Sequence, residues 1–215
     1  MSSTPTRSEE TQDGIVLQRL TKLFGPTPGD ILPLVHQGLD KDAILKEHGH
    51  VVALRDISLT IDTGKVQIIM GLSGSGKSTL LRHINRLIEP SAGRIIIRGR
   101  DVLSLDTEEL REFRQHQISM IFQKFSLLPH RTVQDNVAFG LSVQKVPRAA
   151  QQEAANTWLR RVGLGGYEKS YPAQLSGGMQ QRVGLARALA TGAECLLMDE
   201  PFSALDPLIR TEMQD

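Results

Sequence analysis

The chain has 215 residues, 40% of them hydrophobic, which is enough for one large globular domain or a domain carrying an inserted lobe. Its 25 Lys and Arg against 24 Asp and Glu leave a formal net charge of +1, so the basic footprint that nucleic-acid binding demands is absent. No stretch approaches the roughly 18 consecutive apolar residues of a membrane-spanning helix, and the single cysteine, Cys195, excludes an internal disulfide and fits a cytosolic setting.

In chain order, the start MSSTPTRSEETQDG lacks the apolar run of a secretory signal, and residues 1–13 are expected to be disordered. IVLQRLTKLFG, Ile15 to Gly25, mixes apolar and polar positions in the manner of an edge strand. Residues 26–50 open with two prolines, carry short helical patterns around Ile31 to Gln37 and Lys41 to Glu47, and read as a surface insertion. VALRDISLTI alternates as a strand should, and VQIIMG, residues 66–71, is a continuous apolar run that suits a strand buried on both faces of a parallel sheet. Helix-like KSTLLRHINRLI, strand-like GRIIIRG, helix-like DTEELREFRQ and strand-like ISMIFQ then alternate as an α/β fold does. From about 132 to 190 the pattern is mostly helical, with breaks at Pro147, Gly163 to Gly166 and Pro172, and reads as an inserted helical lobe. CLLMDEP returns to a buried strand, and DPLIRTEMQD starts a helix at Asp206 with proline in its first turn. That pattern is still running at Asp215, so more chain is expected beyond it.

Gly71, Gly76, Lys77 and Ser78 fit the phosphate-loop pattern G-x-x-x-x-G-K-[ST], between a predicted strand and a predicted helix. Glycines let successive backbone N–H groups turn toward phosphate oxygens, and the helix N-terminus adds partial positive charge. Lys77 would reach the β and γ phosphates of ATP, and the Ser78 hydroxyl would ligate Mg²⁺. Ser73, Gly74, Ser75 and Thr79 complete the loop GLSGSGKST. In CLLMDE, Asp199 and Glu200 stand at the carboxyl end of a predicted strand, where open α/β sheets bind their ligands. Asp199 is suited to the Mg²⁺ shell and Glu200 to accepting a proton from attacking water. Gln123 closes another strand, and its uncharged amide suits contact with both Mg²⁺ and that water. None of the six histidines shows metal-ligand spacing; surface or helix positions are expected for them. Cys195 and Trp158 read as packing residues.

GLSGSGKST, FQ, LSGGMQQR, LLMDEP and SALD, in that order and at these separations, resemble the nucleotide-binding subunit of an ATP-binding-cassette (ABC) transporter. The resemblance implies a P-loop NTPase fold of the ABC type for residues 14–215, incomplete at its C-terminus, with an inserted helical lobe and an edge antiparallel β part. It also implies a head-to-tail dimer in which Ser176, Gly177 and Gly178 begin a helix that grips the γ-phosphate of ATP bound to the other subunit. Phe24 matches the aromatic on which adenine stacks, and Asp206 belongs to the same nucleotide-contacting set. The switch histidine of the family is expected beyond Asp215.

GLSGSGKSTLLRHINRLIEPSAGRI, FSLLPHRTVQDNVAFGL and SALDPLIRTEMQD, with the insertion after Phe24, are similar to the ATPase subunits of glycine betaine and proline osmoprotectant importers. That likeness implies membrane-spanning permease partners, indirectly a solute-binding protein, and a peripheral place on the cytoplasmic face of the inner membrane. Two other readings stay open. A non-hydrolysing ATP-binding fragment would release no phosphate, and a soluble ABC ATPase acting on nucleic acid would favour basic patches, which are not seen.

Overall fold

The computed structural model describes residues 14–123 and 126–200. The expected disorder over 1–13, the SALD motif with Asp206 and the final helix lie outside the described residues. The chain divides into two compact units, at Asp106/Thr107.

The first unit is built on a four-stranded antiparallel sheet in the order β2-β1-β3-β4, formed by β1 (Ile15–Phe24), β2 (Val51–Ile61), β3 (Ala92–Ile97) and β4 (Arg100–Asp101). Strand β1 is therefore not an edge strand, since it hydrogen-bonds to both β2 and β3. Its mixed polarity reflects a sheet with one covered face. Leu17, Leu20 and Leu23 are buried at a spacing of three rather than two, because the register shifts between Leu17 and Leu20 and again before Lys22. The first shift adds one residue to β1 and returns Leu20 to the inner face, whereas between Leu20 and Leu23 the extra residues lie in β2.

The segment between β1 and β2 forms two helices, α1 (Pro28–His36) and α2 (Lys41–His48). Proline at the first position suits the start of α1, and α2 is capped by Asp40, whose side chain accepts from Asp42 N, and ended by left-handed Gly49. Ile31, Val35 and Ile44 pack with Leu23 of β1 into a small core of their own.

VQIIMG forms no strand. The run pairs with no ladder among the described residues, and Val66 and Met70 are 92% and 86% exposed. A strand exists only through its inter-strand hydrogen bonds, and an apolar run supplies the side chains for one without supplying the neighbour. Helix α3 (Lys77–Ile84) follows the phosphate loop and stops at Asn85, short of the expected Ile88, where Arg86 turns left-handed.

The second unit holds α4 (Thr107–His116), β5 (Ile118–Ile121), α5 (Val133–Val143), α6 (Arg148–Arg161), α7 (Gly177–Ala190) and β6 (Cys195–Met198). Strands β5 and β6 pair in parallel, with Ile118 opposite Cys195 and Ile121 opposite Met198. Val133, Val137 and Leu141 recur every four residues and make one apolar stripe on α5, which meets Ala155 and Leu159 of α6 and Val183, Ala186 and Ala190 of α7 in a shared core. Trp158 packs against that core. Thr132 caps α5 by accepting from Asp135 N, and buried Asn136 holds the approach to that helix: its amide donates to the carbonyls of Leu128, Arg131 and Thr132, and its Oδ1 accepts from Leu128 N.

Candidate functional site

In the first unit the phosphate loop runs from Gly71 into α3. Gly76 stands at the helix N-cap with φ +95, and a Cβ there would lie 2.7 Å from the carbonyl oxygen of Ala53 in β2. Only glycine combines that left-handed backbone with so close an approach. No side chain caps α3 and its first turn contains no acidic residue, so the helix itself does nothing to offset its positive end. The Lys77 ammonium folds back over the loop, donating to the carbonyls of Gly71 at 2.9 Å and Leu72 at 3.0 Å. Ser73, Gly74 and Ser75 are exposed, while Ser78 and Thr79 are half-buried in the first helical turn. Below them, His83 is fully buried, and its Nδ1 lies 2.6 Å from the Thr79 carbonyl oxygen. Burial pushes the His83 pKa down.

Phe24 ends β1 and is 41% exposed, so it is not a core phenylalanine. The ladder pairs Phe24 with Val51, two residues from the Ala53 carbonyl against which Gly76 packs. That is about 7 Å along the strand, so the pairing brings Phe24 to the end of the sheet where the phosphate loop sits, despite the residues inserted between them. The sequence reading missed Lys22, whose ammonium sits 4.9 Å from the centroid of the Phe24 ring. The two residues lie two apart in β1, and that period-two spacing is the signal that could have found the pair.

In the second unit the parallel register of β5 and β6 delivers Gln123 and Asp199–Glu200 to the same carboxyl end. The Asp199 N–H donates to the Ile121 carbonyl at 3.0 Å, continuing the ladder one step past the strand. Asp199 is 1% exposed. Glu200 takes a left-handed backbone at φ +49, sparsely populated for a residue with a side chain, and its Oε2 accepts from Gln123 Nε2 at 2.8 Å. The structure thus brings Gln123 to the Asp199–Glu200 pair, two features singled out separately in the sequence.

Ser176 caps α7, its Oγ accepting from Met179 N at 3.3 Å. Gly177 and Gly178 are the first residues of that 14-residue helix, and the first turn again holds no acidic residue. Ser176 and Gly177 are exposed, and a Cβ on Gly177 would meet nothing within 4 Å. The helix therefore presents an open, positively polarised end. Gln180 steadies the turn before it by donating to the carbonyls of Pro172 and Leu175. Among the histidines, His50 departs from expectation: it is neither on the surface nor in a helix but is buried at the base of the insertion.

Residues 54–203 match the ABC transporter family. The chain belongs to that family. As an ABC transporter protein it is 52% identical over 199 residues to the glycine betaine/proline betaine transport system ATP-binding protein ProV of Escherichia coli (strain K12), covering 93% of this chain and 50% of that one. It is 50% identical over 201 residues to the glycine betaine/carnitine transport ATP-binding protein GbuA of Listeria monocytogenes serotype 1/2a (strain 10403S), covering 94% and 51%. The chain thus spans about half the length of these curated relatives. Its fold is that of ABC ATPases: it superposes with a TM-score of 0.76 on a dimeric post-hydrolysis structure of the ATP-binding cassette MJ0796 bound to ADP and Pi, at 32% identity, covering 93% of this chain and 79% of that one. No helix among the described residues is long and apolar enough to cross a membrane.

Proposed function

We propose that this ABC transporter chain binds and hydrolyses ATP as the energising subunit of an importer, and that the cargo is a compatible solute such as glycine betaine, proline or a related quaternary amine. Supporting the cargo class are the relatives named for glycine betaine transport, and supporting hydrolysis is one observation above others, the 2.8 Å bond between Gln123 and Glu200 at the carboxyl end of two parallel strands. It gives a carboxylate a fixed place at the strand ends where this fold class binds ligands.

In this reading Phe24 stacks on the adenine, while Lys77 and the N–H groups of Gly71 through Thr79 bind the phosphates. Ser78, Gln123 and Asp199 offer hydroxyl, amide and carboxylate oxygens, the donor chemistry that Mg²⁺ takes, and a carboxylate as buried as Asp199 suits a bound cation. Mg²⁺, when bound, neutralises charge on the phosphate oxygens. Glu200 accepts the proton of the attacking water at its carboxylate, and Gln123 orients that carboxylate through the amide bond. Ser176, Gly177 and Gly178 serve a second copy of the chain, offering the α7 N-terminus to the γ-phosphate held there. Permease subunits in the membrane and, through them, a solute-binding protein are the partners; the protein sits peripherally on the cytoplasmic face, and nucleic acid is not a partner.

Glu200→Gln removes the base and keeps the shape. The variant should still bind ATP in calorimetry, while phosphate release falls by about 100-fold or more, the usual contribution of a general base. Release at the unmodified rate would refute the assignment.

A further inference from the structure

The loop between Phe24 and Val51 contains 26 residues, 25 through 50, yet its two ends face each other across one rung of the β1–β2 ladder. Closing so long a loop costs chain entropy, and the last rung of a ladder frays unless something ties the neck. Three contacts do so. Leu23 of β1 is buried in the small core with Ile31, Val35 and Ile44. The guanidinium of Arg55 in β2 donates to the Leu39 carbonyl at 2.5 Å. The third contact lies directly beside Phe24: the His50 imidazole packs flat against the Gly25 backbone, so closely that a Cβ on Gly25 would sit 2.6 Å from both Cγ and Nε2 of the ring, and closer still to Cδ2.

His50 is 4% exposed. Its Nδ1 lies 2.6 Å from the His48 carbonyl oxygen, a bond that fixes the ring plane, while its Nε2 is buried with no hydrogen-bond partner among the described residues. Burying an unsatisfied nitrogen costs stability that an apolar side chain of similar volume would not incur. The ring therefore does not earn its place by stability alone, and what distinguishes its position is that it joins the residue after Phe24 to the residue before Val51.

We propose that His50 is a positioning residue for recognition of the nucleotide base: packed on Gly25, it closes the neck of the insertion and holds the exposed Phe24 ring, with Lys22 over it, in the orientation that accepts the purine. This rests on the reading of Phe24 as the adenine platform. The phosphate loop is untouched by the contact, so the base and phosphate parts of binding separate.

The test compares Mg-ATP with Mg-tripolyphosphate, which carries the phosphates without the base, by calorimetry on the chain and its Phe24→Ala, His50→Ala and Gly25→Ala variants. All three should weaken Mg-ATP binding by about fivefold or more, the lower end of what losing one base–aromatic stack costs, and leave Mg-tripolyphosphate binding unchanged. If Phe24→Ala weakens ATP binding while the His50 and Gly25 variants do not, the neck contact is irrelevant to the base and the inference is overturned, with the platform reading intact. If Phe24→Ala leaves ATP binding unchanged, the platform reading fails and takes the inference with it. Loss of both ligands in His50→Ala would assign the contact to the fold and likewise overturn it.

Discussion

Gln123 and Glu200, 77 residues apart in the chain, meet through a 2.8 Å hydrogen bond from the Gln123 amide to the Glu200 carboxylate. The parallel register of β5 and β6 sets the meeting, since Ile121 lies opposite Met198 and each strand runs on two residues to its functional side chain. Removing the amide by Gln123→Ala takes this donor away from the carboxylate. Phosphate release should drop by about tenfold or more, because small misplacements of a reacting group are costly, whereas ATP affinity should change far less. A fall in affinity as large as the fall in turnover would show that the part of Gln123 in holding Mg²⁺ outweighs its hold on Glu200.

Lys77 grips two carbonyls of its own loop, and in the functional reading it transfers that grip to phosphate oxygens. Lys77→Ala should weaken Mg-ATP binding at least about tenfold, given the roughly 1.5–3 kcal/mol carried by a hydrogen bond to a charged group. Unchanged affinity in calorimetry would remove the loop from the nucleotide site.

Gly76→Ala forces a side chain into a left-handed backbone and against the Ala53 carbonyl. The strain, on the order of 1–3 kcal/mol, should lower the thermal unfolding midpoint and weaken nucleotide binding together. A variant as stable as the parent would mean that the loop can rearrange away from β2.

His83 links pH to stability. Its pKa is lowered from the ordinary 6.5 chiefly by burial, so the folded chain prefers the neutral imidazole while the unfolded chain takes up a proton near 6.5. Its contribution is therefore complete above pH 6.5 and is lost as the pH falls from there toward the folded-state pKa. Denaturant unfolding at pH 7.5 and at pH 5.5 should show a smaller acid loss in His83→Leu than in the parent. Identical losses would exclude His83 as the source.

The open end of α7 is assigned to the site of a second subunit, and mixing tests it. Lys77→Ala and Ser176→Arg should each abolish ATP-dependent dimerisation alone. In a mixed dimer of composite sites one site carries both lesions and the other neither, so ATP-dependent dimerisation, followed by light scattering or crosslinking, should return in part. Crosslinked mixed dimers that still fail to retain nucleotide would place Ser176 in its own chain's site.

The amino-acid sequence by itself determined the features written in neighbouring residues. Gly76 and Lys77 declare the phosphate loop because its geometry depends on a backbone that only glycine adopts and on the helix that starts beside it. Ser176 declares the start of α7, and the spacing of four between Val133, Val137 and Leu141 declares a buried helix face, for equally local reasons. Only the tertiary structure decided which distant segments are neighbours. It put β1 between two strands rather than at an edge and left Val66 to Gly71 outside any ladder. It returned Phe24 to the phosphate loop through its pairing with Val51, buried His50 against Gly25, and joined Gln123 to Glu200. The physical reason is that ladder partners and long-range contacts are chosen by the free energy of closing loops and burying faces across the whole chain, which leaves no mark within a window of a few residues.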